Sequence, residues 1–554
     1  MHPSLWLASL ALIIASSAHA AEPSPRTGQG LRPIGPALER VSAPVLAQGD
    51  PAPAVAGAAP IAGAPAADGW LFTTESGLSK AGDAVRAWVA DAPFHGVVVA
   101  LDPAAAAWAK GDDRAPASRR AAEDGLLAAA VALATELPAD PNPRHLLEEA
   151  DTDLYESPDV LWRGVPPREP APGLADEVRA AAAGDLGAWF EQRLPQVPEY
   201  GALVKAAHRY DALCKAGGWP EVEGVKMPRG EKWTDVDAKK ALQRRLAIEG
   251  FYAGEPTGEW DEATAKAVAR YREVRRLKER DWYDNDMRDA LNVPCTTRLA
   301  TLLLNVRRWR HTYRTTERTY LHVNLAGQEV FYVLDGALKS RHRTIVGSGK
   351  SFFSKRLKRR IVRNATPIMR DEVSHIILNP EWTVPSRIVR EEIEPAIAKD
   401  PLYLEKKHFR TVQSAGGYTM YVQKSGPHNA LGQVKLSFPN TESIYLHDTN
   451  GRGLFRQPVR AFSHGCVRVD DVLQLATNLL EADLAKEGKK VSYWALKSIT
   501  DRNAGTVYFE LKEPVPVFLE YYTASVEDDG TVAFHPDVYG YDEESMPAVL
   551  AAMP

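Results

Sequence analysis

The pattern of apolar and polar positions changes character several times along the chain. From 69 to 230 apolar residues recur at three- and four-residue steps, as in RAAEDGLLAAAVALATEL and GLADEVRAAAAGDLGAWFEQRL. That spacing lines one face of an α-helix and predicts a mostly helical region. Between 231 and 294 three shorter amphipathic stretches follow, ALQRRLAIEGFY, TGEWDEATAKAVARY and DWYDNDMRDALN. Gly/Asp turns separate them, which predicts a compact three-helix unit. Helical spacing returns at 296–313 (TTRLATLLLNVRRWRHTY), and then the period shortens. The runs TYLHVNL, EVFYVLD, RTIVG, HIILN, YTMYVQ and SIYLHD, divided by turn residues, predict a mostly β domain over 318–500. Two more strand-like runs, TVYFELK and VPVFLEYYT, fall in the tail 501–554. The expected class is multidomain α+β: a helical scaffold over 69–230 with a return segment at 295–317, a small three-helix module at 231–294, a mostly β domain, and a C-terminal extension.

The first twenty residues, MHPSLWLASLALIIASSAHA, are apolar and end in Ala18-His19-Ala20, a small-x-small pattern that reads as a secretory signal cut after Ala20. The segment before the apolar run has no Lys or Arg, and the competing reading is an N-terminal membrane anchor, for which the run is short. Residues 21–68, rich in Ala, Pro and Gly, read as a disordered spacer. An exported, soluble protein of the periplasm is therefore expected. The net charge of -5 gives no sign of a nucleic-acid binder, and the basic run Lys355–Arg363 reads as a solvated strand or loop. The composition is otherwise that of a globular chain. With three cysteines, Cys214, Cys295 and Cys466, at most one disulfide can close within the chain. A thiol left free in an oxidising compartment points to chemistry.

Cys466 lies in Ser463-His464-Gly465-Cys466-Val467-Arg468, and a second histidine, His447, ends the run Ser443-Ile-Tyr445-Leu-His447. A catalytic cysteine needs a group that lowers its pKa or removes its proton. His464 is two residues away, a poor geometry for proton transfer. His447 can approach from a neighbouring strand, its other ring nitrogen held by an acceptor such as a backbone carbonyl. Gly465 permits close approach of a substrate, and amides around Cys466 can form an oxyanion hole. A purely structural cysteine, or an open zinc site built from Cys466, His464 and His447, are the alternatives at this point. Gly347-Ser-Gly-Lys-Ser351 imitates the end of a phosphate-binding loop, but Thr344 stands where that motif requires glycine, so a strand-ending turn is expected.

Ile444-Tyr-Leu-His447-Asp-Thr together with Ser463-His-Gly-Cys466-Val-Arg468 resembles the signature of the YkuD-type L,D-transpeptidases, and of their large periplasmic branch in particular. Asn379-Pro-Glu-Trp382-Thr-Val-Pro385, Gly426-Pro-His-Asn429-Ala-Leu-Gly432, Pro514-Val-Pro-Val-Phe-Leu-Glu-Tyr521 and Asp537-Val-Tyr-Gly-Tyr-Asp542 extend the likeness over most of 69–554. The unit at 231–294 resembles a peptidoglycan-binding module, with Leu-Gln-x-x-Leu in its first helix and Thr-x-x-Ala-Val in its second; a generic helical hairpin is its competing reading.

The resemblance implies peptidoglycan 3→3 cross-linking through a cysteine acyl-enzyme, with Cys466 as nucleophile and His447 as base. His464, Gly465 and Ser463 would shape the cysteine's surroundings. Arg468 would hold a substrate carboxylate or form a structural salt bridge. Trp382, Tyr445 and Asn429 would bind substrate, and a lid would lie over about 386–417. Stem peptides and glycan are the implied partners of a monomer, cell-wall synthases are further candidates, and no cofactor or metal is implied. Cys214 and Cys295 flank the inserted module, and a disulfide between them would staple its neck and leave Cys466 free. The same site with water as acceptor would be an L,D-carboxypeptidase or endopeptidase, and an inactive wall-binding scaffold is the reading from outside enzymes.

Overall fold

The computed structural model describes residues 70–112, 114–138, 168–224, 233–310, 317–354, 359–414, 416–551 and 553; the expected leader and spacer, and the first four residues of the basic run, lie outside them. Helices at Lys80–Asp91, Pro103–Lys110, Pro116–Glu136, Leu174–Ala182 and Leu186–Glu191 close around an apolar cluster that includes Phe72, Leu126, Leu133 and Phe190. A second core joins helix Pro198–Lys215 to helix Cys295–Arg310 through Tyr200, Leu203, Leu302 and Trp309. Tyr522 and Phe534 from the C-terminal region complete it, so the tail packs onto the scaffold.

The two helices of that second core are covalently tied. Cys214 ends one, Cys295 begins the other, and they form a disulfide with their Cα atoms 5.5 Å apart. Cys466 is the free cysteine. The bridge closes a long loop, and restricting so long a loop in the unfolded chain is worth about 4 kcal/mol in the chain-entropy picture.

Inside that loop sit the three helices of the module, Val236–Ile248, Glu262–Val274 and Asn285–Leu291. Each begins at an aspartate, Asp235, Asp261 or Asp284, whose side chain accepts from an N–H in the first turn. Their apolar faces meet in Leu242, Leu246, Val268, Tyr271, Tyr283 and Leu291. The Gln243 amide is buried and fully used, donating to Glu259 O and Thr264 Oγ1 and accepting from Gly258 N–H. The module is fixed to its surroundings by buried charge. Arg275 donates to Glu249 at 2.7 Å and to Val532 O at 2.6 Å, Tyr210 donates to Glu249, and Arg245 pairs with the same carboxylate. Burial alone would raise the Glu249 pKa, but Arg275, Arg245 and Arg298 hold it at about 2. Arg276 reaches Glu329 of the next domain at 2.7 Å.

The C-terminal half is built on strands β1 (Tyr320–Asn324), β2 (Glu329–Leu334), β3 (Ala337–Gly347), β4 (Ser351–Ser354), β5 (Arg359–Val362), β6 (Met369–Leu378), β7 (Trp382–Thr383), β8 (Phe409–Gln413) and β9 (Thr419–Gln423). They continue as β10 (Val434–Ser437), β11 (Leu446–His447), β12 (Ala461–Ser463), β13 (Val467–Val469), β14 (Val507–Glu520), β15 (Ala524–Val526) and β16 (Val532–Phe534). Nine of them form one mixed sheet in the order β12-β3-β13-β11-β10-β6-β14-β1-β2, and a β2–β3 pairing closes it on itself. Closure removes most free edges. Helices Val472–Ala485 and Tyr493–Arg502 contribute Leu475, Leu479, Leu496 and Ile499 to the core beneath the sheet.

The two strand-like runs expected in a C-terminal extension are one strand, β14, bent by an irregularity between Glu510 and Val515. It pairs with both β6 and β1 and so belongs to the interior of the sheet. The phosphate-loop imitation at 347–351 connects β3 to β4, a turn between strands.

Two outcomes follow for stability. Glu249→Gln, which strands Arg275 and Arg245 without a counter-charge, costs about 3–5 kcal/mol in urea unfolding at pH 7. Because the folded pKa of Glu249 is depressed, its contribution is present above its ordinary value of 4.5 and is lost as pH falls towards 2, so the gap between wild type and variant narrows across that window. In thiol titration of the denatured chain, one thiol reacts without reductant and three react after reduction; three without reductant would contradict the bridge.

Candidate active site

Strand β11 is only two residues long, and its neighbours decide what it presents. It runs antiparallel to β10, with Lys435 opposite His447, and parallel to β13, with His447 opposite Arg468 and Leu446 opposite Val467. Successive side chains on a strand point to opposite faces. Leu446, Val467 and Val469 therefore enter the core, and Lys435, Tyr445, His447, Cys466 and Arg468 share the other face.

Cys466 stands at the turn from β12 to β13, half-buried, its Sγ donating to Ser443 O at 3.5 Å. The turn is built by its own sequence. The Ser463 hydroxyl accepts from Gly465 N–H and donates to Cys466 O. Gly465 has φ +133°, a region for which a side chain is unsuited, and its carbonyl accepts from Thr366 Oγ1 at 2.6 Å. Val467 N–H is taken by Tyr445 O, and no acceptor is recorded for Cys466 N–H among the described residues. The turn that offers Ser443 O is held by Asn440, whose side chain bonds both N–H and C=O of Ile444. Ser443 itself has φ +57°.

His447 is buried. Its pKa is pulled down to about 3, chiefly by burial and then by the Arg468 guanidinium, with backbone groups of Asp448 and Leu431 acting the other way. Backbone groups of Asp448 and Leu431 are thus the acceptors nearest the ring, while Nδ1 itself meets no hydrogen-bond geometry among the described residues. Tyr445 packs edge-on against His447 with ring centroids 5.4 Å apart, and Lys435 Nζ lies 4.5 Å from the centre of the Tyr445 ring. Burial pushes the Cys466 thiol up, against opposing effects of Tyr445, Lys435 and Arg468. Arg468 is half-buried on the same face and, among the described residues, has no carboxylate partner; its Nε makes no hydrogen bond. Of the two roles set out for it, the structural salt bridge is not made.

Three expected residues lie elsewhere. His464 turns away from the thiol and pairs with Glu392 at 2.7 Å, which removes it from any zinc site with Cys466 and His447. Asn429 is fully buried, its amide donating to Pro380 O, Gln423 O and Lys424 O and its oxygen accepting from Leu431 N–H. It organises a loop and has no group left for a ligand. Trp382 belongs to a separate small core with Val384, Ile388, Ile393 and Phe409. Lys435, Ser443 and Thr366 escaped the sequence reading: each is an ordinary residue made relevant by strand register or a turn, and only the Pro439-Asn440 turn gave a local sign of one of them.

Comparison with known proteins agrees with this geometry. Residues 318–508 match the family model of the YkuD "L,D-transpeptidase catalytic domain", and residues 237–291 match the model described as "Putative peptidoglycan binding domain". A "Putative L,D-transpeptidase" of Haemophilus influenzae is 32% identical over 239 residues, 40% of this chain. The chain spans less than half of that relative's length, 45%. Among solved structures, an L,D-transpeptidase of Xylanimonas cellulosilytica is 15% identical and covers 54% of this chain and 97% of its own, at TM-score 0.17. The corresponding values for one from Mycobacterium smegmatis are 11%, 37% and 58% at TM-score 0.17. Residues 318–508 are thus similar to the YkuD L,D-transpeptidase catalytic domain, and residues 237–291 to a putative peptidoglycan-binding domain.

Proposed function

We propose that this chain is a peptidoglycan L,D-transpeptidase that forms 3→3 cross-links through a Cys466 thioester. The observation that carries the reading is one sheet face holding a free half-buried thiol, a buried imidazole and a guanidinium that has no carboxylate partner among the described residues. The module at 237–291 supports a wall polymer as the substrate. The leader-like start and the disulfide support an oxidising compartment, the periplasm.

Cys466 Sγ attacks the carbonyl after the L-centre of diaminopimelate in a donor tetrapeptide, and His447 takes the thiol proton. The Cys466 N–H faces the oxygen that gains charge. The tetrahedral adduct collapses to a thioester, and His447 returns the proton to the departing D-Ala amine. An acceptor amine then attacks the thioester, loses its proton through His447 to the leaving thiolate, and closes the new amide. Arg468 holds a carboxylate of the stem, since an unpaired guanidinium suits that group.

The resting pair is thiol and neutral imidazole, because burial raises one pKa and lowers the other. Proton transfer therefore accompanies attack, and no thiolate–imidazolium pair is stored. Iodoacetamide alkylation of Cys466 accordingly accelerates with pH past 9, with no plateau near neutrality; a plateau at pH 6–8 would contradict this.

The function itself is tested with disaccharide-tetrapeptides and mass spectrometry. Wild type gives cross-linked dimers, Cys466→Ala gives none, and His447→Ala loses about 10²–10⁴-fold in rate. Arg468→Ala raises KM by roughly tenfold or more, the scale of a lost bond to a charged group. Tripeptides without dimers would replace this reading by a carboxypeptidase, and no product at all by a wall-binding scaffold.

A further inference from the structure

The motif Asp537-Val-Tyr539-Gly-Tyr541-Asp542 follows β16 and holds none of the reacting groups, yet its central ring reaches the residues that hold the nucleophile turn. The Asp537 carboxylate accepts from Tyr541 N–H, from Asp542 N–H and from the Tyr521 hydroxyl, which bends the segment back on itself. The Tyr521 hydroxyl in turn accepts from Tyr539 N–H, and the two rings stack with centroids 5.3 Å apart. Tyr539 is thereby buried in the core of the β domain. The phosphate-loop imitation is the seat of this segment: a Cβ on Gly349 would run into Val538 O, and one on Gly347 into Asn364 O.

Tyr539, Gly347 and Thr366 close a ring of hydrogen bonds. The Tyr539 hydroxyl accepts from Thr366 N–H at 3.1 Å and donates to Gly347 O at 3.2 Å, and Gly347 N–H donates to Thr366 Oγ1 at 2.9 Å. Backbone N–H groups only donate and carbonyls only accept, so the direction of both hydroxyl protons is fixed. The Thr366 proton goes to Gly465 O, 2.6 Å away. Burial pushes the Tyr539 pKa up to about 12, so its hydroxyl keeps its proton at neutral pH.

Gly465 O and Cys466 N–H belong to one peptide unit. That unit is planar and trans, so its C=O and N–H point in opposite directions and fixing one fixes the other. Beside a glycine at φ +133° the unit is otherwise free to turn over. A donor on the carbonyl also polarises the amide and strengthens its N–H. We propose that Thr366, braced by Tyr539, is the positioning residue that aims the Cys466 N–H at the oxygen gaining charge during acyl transfer. The inference deepens the proposed function and rests on its Cys466 thioester, and it gives the C-terminal motif a part in the reaction.

The test compares two reactions of Cys466 in the full chain. With p-nitrophenyl acetate, Sγ bonds to the ester carbonyl, the thiol proton passes to His447, p-nitrophenolate leaves, and the carbonyl oxygen carries charge on the way. Iodoacetamide instead loses iodide from a CH₂ carbon, and no oxyanion forms there. Thr366→Val, which keeps the side chain's shape, slows acetylation above a Cys466→Ala background by roughly ten- to hundredfold, less than the loss of a whole oxyanion donor, and leaves alkylation within about twofold. Tyr539→Phe slows acetylation by about three- to tenfold, the scale of one hydrogen bond, and carries the test if Thr366→Val does not fold. Thr366→Ser restores acetylation. With tetrapeptide donor the loss in Thr366→Val falls on kcat and leaves KM. Acetylation and alkylation that slow by the same factor, or acetylation that does not slow, overturn the positioning role; so does a wild type that is alkylated but takes no acetyl group. Selective loss of acetylation without any dimer from stem peptides would sink the transpeptidase reading and leave the positioning role standing.

Discussion

Parallel pairing of β11 with β13 holds the site together, because it sets His447 opposite Arg468 while Leu446 and Val467 anchor both strands in the core. A strand has a side-chain period of two, so a slip of one residue would turn His447 and Arg468 into the apolar core and the leucine and valine away from it. The cost of burying an imidazole and a guanidinium in an apolar core makes that slip prohibitive. Strands as short as these hold register only because β3 and β10 flank them and helix Val472–Ala485 packs beneath.

Charge is handled in two opposite ways in the molecule. At the junction of module, scaffold and tail, Glu249 is surrounded by Arg275, Arg245 and the Tyr210 hydroxyl, and Arg275 is further tied to Val532 O. Buried charge there is compensated, and it fixes the module relative to the catalytic domain. At the site, Arg468 has no carboxylate partner among the described residues, and burial pulls the His447 pKa down. A cation without its counter-ion is costly in a resting protein.

The nucleophile turn is soft at its centre and stiff around it. Gly465 supplies a backbone conformation that other residues adopt poorly, and Ser463, Thr366 and Asn440 supply the hydrogen bonds that choose one geometry from those it allows. His464 belongs to this stiffening through Glu392. Its closeness in sequence to the cysteine made it an obvious candidate base, and its side chain serves the neighbouring segment.

The sequence by itself determined the local elements and singled out Cys466 and His447. Helical and strand periods, three aspartate caps, the spacing of Cys466 and the glycine before it are written in contiguous residues, so local physics suffices to read them. The bridge between Cys214 and Cys295 was legible too, from their places on either side of the module. Tertiary structure alone decided the rest. β14 lies inside the sheet because its hydrogen-bonding partners, β6 and β1, are more than a hundred residues away in sequence. Asn429 is a loop organiser and Trp382 packs half-buried against a small core because burial and partner choice depend on neighbours that no local pattern names. For the same reason Lys435 faces the site and Arg468 has no carboxylate partner among the described residues: register and packing are properties of the folded chain.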